Sequence, residues 1–131
     1  MPVRVLLAVA SGAAVGACLR WWLGVMFNAI FPTMPLGTLA ANLLGGLLMG
    51  CAMELLTRHA GVPAEVRLLA TTGFLGGLTT FSTFSAEVVT LLFRKELLWM
   101  VIVVGTHVIG SLAMTVVGVL AVRAVYVFGG K

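Results

Sequence analysis

The sequence predicts an all-α integral membrane protein with four transmembrane helices. Of its 131 residues, 61% are apolar and 9% are charged, and the mean hydropathy is +1.17. A soluble domain of this length leaves too much surface in water to hide such a composition. Four apolar stretches reach the roughly 20 helical residues that span a bilayer, and they lie at about residues 3–27, 37–57, 66–92 and 97–127. The joints are short, so we expect residues 1–131 to form a single transmembrane domain.

The first helix carries a face of small residues and one arginine. Gly12 and Gly16 are one helical turn apart, a spacing that lets another membrane helix approach closely. Arg20 follows them, and the same helix contains no acid that would neutralise it. A charged group inside a membrane needs a partner or a path to water. Arg20 therefore either extends its charge to the far interface or is a cation at the mouth of an anion path.

The second helix begins PLGTLAANLLGGLLMG and places polar and small residues on one face. Asn42 lies one turn after Thr38, and Gly46 and Gly50 continue the same face. Two interpretations stay open for Asn42. Its amide either forms an interhelical hydrogen bond beside a glycine packing face or donates into a pore.

The third helix contains the run GFLGGLTTFSTFS at residues 73–85, which predicts a broken helix. Gly73, Gly76 and Gly77 each weaken a helix interior by about 1 kcal/mol relative to alanine. The hydroxyl side chains that follow compete for backbone groups, so we expect the break near 76–80, at the middle of the membrane. Protein, water or an ion must satisfy the carbonyls that the break frees. Two half-helices that meet there would form a ready cation site.

The second half of the third helix combines aromatic and hydroxyl side chains. Phe81 and Phe84 are three residues apart, so they share one helix face. Most phenylalanine pairs simply pack, but the surroundings of this pair are not typical of a lipid-facing surface. The hydroxyl residues around it are Thr80, Ser82, Thr83 and Ser85. Glu87 follows one turn after Thr83, and we expect its carboxyl group to be hydrogen-bonded or protonated.

The fourth helix carries a narrow polar stripe on an apolar background. His107, Ser111 and Thr115 succeed one another at intervals of one turn. A histidine alone is more often a structural residue whose hydrogen bonds are satisfied, and that is the interpretation we favour for His107. Three polar residues in register instead indicate the wall of a watered or ion-filled groove.

The residue types present argue against an enzyme. The chain contains no CxxC motif, no pair of histidines at a metal-ligand spacing and no aspartate. Metal-dependent hydrolysis, two-carboxylate chemistry and a Ser-His-Asp triad therefore lack their parts. We expect no catalytic residues.

Basic residues are distributed with a small bias between the two predicted membrane faces. Arg94 and Lys95 fall near one face, and a larger group falls near the other, namely Arg4, Arg58, Arg67, Arg123 and Lys131. The positive-inside rule then favours cytoplasmic termini. Because Glu54 and Glu65 also lie on the more basic face, the bias is weak and is compatible with insertion in both orientations.

The run GFLGGLTTFSTFS, followed by AE at 86–87, resembles the signature of the CrcB/Fluc family of fluoride channels. The resemblance extends to GACLRWWLG around Arg20, to PLGTLAANLLGGLLMG around Asn42 and to GSLAMTVVG at 110–118. Together these motifs reach nearly the whole chain in the order that the family shows.

This resemblance implies an antiparallel dual-topology homodimer with two fluoride paths along the dimer interface. It also implies a central structural sodium ion, held by the backbone carbonyls of Gly76 and Thr79 from both chains. The pore-lining residues that we carry over are Asn42, Phe81, Phe84, Ser82, Thr83, Ser111, Thr115 and Arg20. Certain members have a pore-side tyrosine in the fourth helix where we place Val103, so we assign that position no role.

The function that the resemblance implies is passive export of fluoride across the cytoplasmic (inner) membrane of a bacterium. Fluoride enters cells as neutral HF, ionises inside and is trapped, and a channel lets it leave down its electrochemical gradient. Hydroxyl groups would replace part of the hydration of the anion, and phenylalanine ring edges carry the positive part of the aromatic quadrupole. A narrow pore without a fixed full charge suits rapid passage of a small anion.

Two other classes of membrane protein compete with this interpretation. A four-helix multidrug exporter would need a membrane-embedded carboxylate, typically in its first helix, where this chain has Arg20 instead. Glu87 is the only mid-chain candidate for that role. A non-transporting assembly subunit would use its polar residues only to join helices. Anion flux into or out of liposomes separates all three classes.

Overall fold

The computed structural model describes residues 2–130 and contains four helical spans that are long and apolar enough to cross a membrane. The first is α1 (Val3–Phe27), the second is α2 (Leu36–Arg58), the third is Ala64–Phe93, and the fourth is the last helix, α6 (Leu97–Phe128). The predicted all-helical membrane architecture is confirmed at this level.

The third span is not a continuous α-helix. Its parts are α3 (Ala64–Leu68), a π-helical segment (Leu69–Leu75), α4 (Gly76–Leu78) and, after a break, α5 (Phe81–Phe93). The break consists of Thr79, with φ −81° and ψ 155°, and Thr80, with φ −148° and ψ 119°, which are both extended. It lies where the glycines and hydroxyl residues predict it. No feature of the sequence predicts the π-helical segment.

Proline and threonine set the starts of several helices. Pro2, Pro35 and Pro63 directly precede α1, α2 and α3, with φ values of −63°, −60° and −55°. Proline suits this position because the first turn of a helix leaves its N–H groups without helical partners. Thr80 caps α5 instead, since its side-chain oxygen accepts a hydrogen bond of 3.1 Å from the Thr83 N–H.

Glycines bring α1 against the first half of the third span, and α2 against α6. A Cβ atom on Gly12 would lie 2.8 Å from the Phe74 nitrogen, and one on Gly16 would lie 2.7 Å from the Leu78 nitrogen. On α2, a Cβ atom on Gly46 would lie 2.8 Å from the Ser111 carbonyl oxygen. These distances are too short for any side chain, so both helix pairs pack backbone against backbone, as the small-residue faces predict.

The pair α2 and α6 runs parallel. Asn42 contacts His107 near the middle of the span, and Glu54 contacts Arg123 further toward the C-terminal ends of both helices. Those ends lie on the same face of the molecule as the starts of α1 and α3. Arg94 and Lys95, between α5 and α6, lie on the opposite face. Lys131, which we assigned to the more basic face, lies outside the described residues.

Two small groups of buried apolar side chains lie inside this bundle. Leu23, Ala41, Leu75 and Leu78 form one group, and Phe84, Leu91 and Val103 form the other. Most large apolar side chains instead point outward, and those of α1 and α6 are exposed along most of their length. Such surfaces suit lipid or a second protein chain as neighbours, not water.

Candidate functional site

The broken backbone of the third span is held by a single side chain from α2. The Thr80 N–H donates a hydrogen bond of 2.7 Å to Asn42 Oδ1, and Asn42 Nδ2 donates one of 3.0 Å to the Thr80 carbonyl oxygen. An extended residue inside a membrane has no helical partner for either group. Asn42 therefore satisfies both, which is the interhelical hydrogen bond that one of our two interpretations expected.

The same arrangement releases several backbone carbonyls near the break, including those of Gly76 and Thr79. In a continuous helix the N–H of Thr80 would bond to the carbonyl of Gly76, and the N–H of Thr83 would bond to that of Thr79. Here the Thr80 N–H donates to Asn42, and the Thr83 N–H donates to the hydroxyl oxygen of Thr80. The carbonyls of Gly76 and Thr79 are thus free of their usual helical bonds, and a hard cation prefers such oxygen ligands.

Arg20 reaches the break from α1. Its Nε donates a hydrogen bond of 3.1 Å to the Gly77 carbonyl oxygen, and the residue is partly buried. This bond ties its side chain to the broken helix, so it does not extend freely toward the interface. Arg20 also lines a cavity of about 310 Å³, the arginine cavity, whose other polar lining residues are Asn28, Thr38, Thr80 and Thr83.

A larger groove lies on the other side of Thr80. This central groove has a volume of about 430 Å³ and runs between α2, the break, α5 and α6. Of the residues that the sequence predicts for a pore, it collects Asn42, Phe81, Phe84, Ser111 and Thr115. Thr79, Thr80 and His107 also line it. Among the described residues no Lys, Arg, Asp or Glu does so, so the groove is lined by neutral polar groups, aromatic rings and apolar side chains.

Aromatic rings form one wall of the central groove. Phe81 and Phe84 meet edge to face, with ring centroids 5.4 Å apart and an angle of 63° between the planes. Phe84 also stacks on the His107 ring, with centroids 4.8 Å apart. Phe84 is only 7% exposed, whereas Phe81 is 77% exposed. The groove therefore has one fixed ring and one ring that no part of the described chain covers.

The hydrogen bonds of Asn42 determine which ring nitrogen of a neutral His107 carries the proton. The Thr80 N–H must face the Asn42 oxygen, so the amide nitrogen faces the Thr80 carbonyl and also lies 3.0 Å from His107 Nδ1. Nδ1 must then accept, and the ring proton of a neutral His107 lies on Nε2. Nε2 is buried and has no hydrogen-bond partner among the described residues.

We expected His107 to be a structural residue with all of its hydrogen bonds formed, and this holds for only one of its two ring nitrogens. One ring nitrogen is bonded, and the other is a buried group without a partner, on a residue that lines the central groove. The sequence did contain a signal for this, because His107 lies in register with Ser111 and Thr115, which line the same groove.

Several of the carried-over residues lie outside the central groove. Ser82 is exposed, and its hydroxyl lies 3.2 Å from that of Thr80. Thr83 and Arg20 line the arginine cavity.

Glu87 has the hydrogen-bonded carboxyl group that we expected. One of its oxygens accepts a hydrogen bond of 2.6 Å from the Thr38 hydroxyl, and the other has no partner among the described residues.

Comparison with known proteins places this site in context. A sequence model described as "CrcB-like protein, Camphor Resistance (CrcB)" matches residues 7–119. A protein of Nitrosospira multiformis is 54% identical over 123 residues, which cover 94% of this chain and 96% of the relative. One of Tolumonas auensis is 58% identical over 86% of this chain and 88% of its own length. One of Cupriavidus taiwanensis is 56% identical over 88% of this chain and 92% of its own. All three relatives are named fluoride-specific ion channel FluC.

Proposed function

The chain belongs to the CrcB-like family, and from this premise we propose that it is a fluoride-specific ion channel. It would let fluoride leave the cytoplasm passively, across the inner membrane of a bacterium, and so protect the cell from fluoride. The names of its relatives support the choice of ion. The observation in the chain itself that carries the proposal is the lining of the central groove.

The central groove has the chemistry that a small, strongly hydrated anion requires. Fluoride must exchange water for other donors along its path, without meeting a fixed charge that would trap it. Ser111 and Thr115 line the groove, although the Thr115 hydroxyl donates to the Ser111 carbonyl, and we propose that Phe81 and Phe84, which also line it, turn their ring edges toward the anion. We assign His107 Nε2–H to the path as a further donor, because His107 lines the groove and this nitrogen has no partner among the described residues.

We propose that a second, antiparallel copy of the chain completes the groove. Phe81 lines the groove and is 77% exposed, so a ring that should border a narrow path has no protein covering it in the single chain. A symmetric partner that packs on this face would cover both copies of Phe81 and create two equivalent paths. The weak difference in charge between the two faces supports insertion in both orientations.

A structural sodium ion on the dimer axis is part of the proposal. The carbonyl oxygens of Gly76 and Thr79 would hold it, together with the same groups of the partner subunit. Two hydrogen bonds support this choice, because the donors that would otherwise bond to these carbonyls bond to Asn42 and to the Thr80 hydroxyl. The ion would neutralise carbonyl dipoles at the break, and it would not be transported.

Arg20 supplies positive charge close to the path. The arginine cavity and the central groove share Thr80 as a lining residue, so Arg20 lies near the groove without entering it. We propose that Arg20 attracts the anion at the mouth of the path, and that the hydroxyls of Ser82 and Thr83 assist its dehydration there. An arginine inside the groove would instead bind the anion too firmly for rapid passage.

Flux from liposomes tests this function against the two competing ones. Purified protein is reconstituted into liposomes that contain fluoride, and efflux is followed with a fluoride electrode after valinomycin is added to dissipate the voltage. A channel predicts rapid fluoride efflux that depends on valinomycin and needs no proton gradient, with chloride-loaded liposomes as the control. Transport of cationic drugs in exchange for protons would indicate an exporter. The absence of any transport would indicate an assembly subunit.

A further inference from the structure

The C-terminal ends of α2 and α6 are joined by a network of polar side chains. Glu54 lies at its centre. One of its carboxylate oxygens is 2.8 Å from Arg58 Nη2, and the other accepts a hydrogen bond of 3.0 Å from Arg123 Nε. The Arg58 guanidinium also lies over the ring of Tyr126, with its central carbon 4.6 Å from the ring centroid. We call these four residues the arginine cluster.

Both guanidinium groups are positioned while they remain accessible. Glu54 is nearly buried, with a side-chain exposure of 11%, whereas Arg58 and Arg123 are 36% and 57% exposed. Only Nε of Arg123 is hydrogen-bonded among the described residues, so the donors of both terminal nitrogens have no partner there. Two cations share one carboxylate, which leaves an excess positive charge beside those free donors.

We propose that the arginine cluster binds the phosphate group of an anionic phospholipid. Guanidinium groups bind phosphate oxygens with two parallel hydrogen bonds, and they do so best when their orientation is already fixed. Glu54 and Tyr126 hold the two guanidinium groups before any ligand arrives. The cluster lies at the ends of two membrane spans, which is the depth of the lipid headgroups.

The surroundings favour a lipid over free phosphate. Leu120 and Val116 precede Arg123 by about one and two helical turns, so they lie on the same face of α6 and deeper in the membrane, and their exposed fractions are 54% and 57%. Apolar side chains at this depth would contact the upper part of an acyl chain. A lipid whose phosphate is bound at the cluster would therefore bury apolar surface as well, which a free phosphate ion cannot do.

Native mass spectrometry of the detergent-solubilised protein tests the site, because it counts lipids on folded molecules only. We expect the parent to retain phosphatidylglycerol in preference to phosphatidylcholine. Arg123→Lys keeps the charge but loses the planar guanidinium group and its paired donors, so the preference should fall about tenfold, the effect of losing one hydrogen bond to a charged group. The matched control is Arg4→Lys, a change at an exposed arginine on the same face, which should leave the preference unchanged.

Three outcomes would overturn the proposal. If Arg123→Lys retains phosphatidylglycerol like the parent, the positive charge of this face attracts the lipid nonspecifically, and the arginine cluster is not a specific binding site. The same conclusion follows if Arg4→Lys and Arg123→Lys lower retention equally. If excess inorganic phosphate displaces the lipid and the parent shows no preference over phosphatidylcholine, the cluster is a free-anion site. None of these measurements depends on fluoride transport.

Discussion

The interface between α2 and α6 is polar at two levels, and the two levels differ in the chemistry that they use. Near the middle of the membrane Asn42, His107 and Thr80 form hydrogen bonds between neutral groups, and His107 and Thr80 are 4% and 8% exposed. At the end of the helices Glu54 forms ion pairs with two arginines that are partly exposed.

The difference follows from the cost of charge at each depth. A full charge in hydrocarbon is expensive, so the middle level uses an amide, an imidazole and backbone groups, each of which needs its partner. Near the headgroups water and salt screen charges, and an ion pair there contributes little net stability. We therefore expect substitutions at the middle level to affect stability and flux strongly, and those at the end level to affect them weakly.

The largest effect should come from Asn42→Ala. This change leaves the N–H and the carbonyl of Thr80 buried without partners, at about 1–3 kcal/mol for each group. The break would lose its shape, and fluoride efflux should fall to background. Thermal unfolding in detergent and liposome efflux measure the two consequences. Asn42→Asp, as a neutral acid, keeps the acceptor and one of the two donors and should fall between alanine and the parent. Parent-like stability of Asn42→Ala would contradict the role of Asn42 at the break.

Sodium removal should act at the same middle level. Replacing all sodium with N-methyl-D-glucamine should weaken the dimer and lower efflux, because the carbonyls of Gly76 and Thr79 would lose their shared cation. Gly76→Val should also impair both through helix geometry and through crowding at the proposed dimer axis, since within the single chain a Cβ atom there would lie at an ordinary 3.8 Å from the Thr71 carbonyl oxygen. Thr79→Val keeps the backbone ligand and should have a smaller effect. If dimer and flux are indifferent to complete removal of sodium, the cation site is wrongly assigned.

His107→Phe should have a smaller effect, mainly on flux. The new ring can keep its stacking against Phe84, but it offers neither the acceptor for Asn42 nor the buried Nε2–H donor. Loss of a hydrogen bond to an anion typically costs enough to slow passage about tenfold. Efflux per folded channel measures this, with protein normalised by size-exclusion chromatography. An unchanged rate would mean that Nε2 faces no ion.

The smallest effect should come from Glu54→Gln at the end level. An ion pair near the headgroups contributes little net stability, so thermal stability should stay close to that of the parent. Fluoride efflux should match the parent, because no residue of the central groove or the arginine cavity touches Glu54 in the described network. A loss as large as that of Asn42→Ala would show that the two levels do not differ as we argue.

Much of the fold and part of the site could be predicted from the sequence. Apolar length locates the four spans, and the glycine and hydroxyl run locates the break at Thr79 and Thr80, because both signals are local. The π-helical segment at Leu69–Leu75 has no comparable local signal. It accompanies close packing on α1, where a Cβ atom on Gly73 would lie 2.7 Å from the Val9 carbonyl oxygen.

Partners distant in sequence explain the remaining gaps. Helical periodicity shows which face a residue occupies, but not which atom it meets on another helix. Arg20 stayed open between two interpretations because its partner, the Gly77 carbonyl, is 57 positions away. For Asn42 the structure shows the interhelical hydrogen bond, with its two amide hydrogens directed to the Thr80 carbonyl and to His107 Nδ1, so donation into a pore stays a prediction although the residue lines the groove. The free Nε2 of His107 could be recognised only after Asn42 and Thr80 had been placed.

Efflux through Phe81→Leu and Phe84→Leu channels tests most directly whether fluoride passes along the central groove. Swaps between apolar side chains of similar volume usually cost under about 1.5 kcal/mol, so folded dimer should remain for measurement. If ring edges help to coordinate fluoride, each variant should conduct far more slowly per folded channel than the parent, because an alkyl group has no comparable positive edge. Variants that stay dimeric and conduct at the parent rate would reduce the phenylalanines to packing and contradict the proposed path.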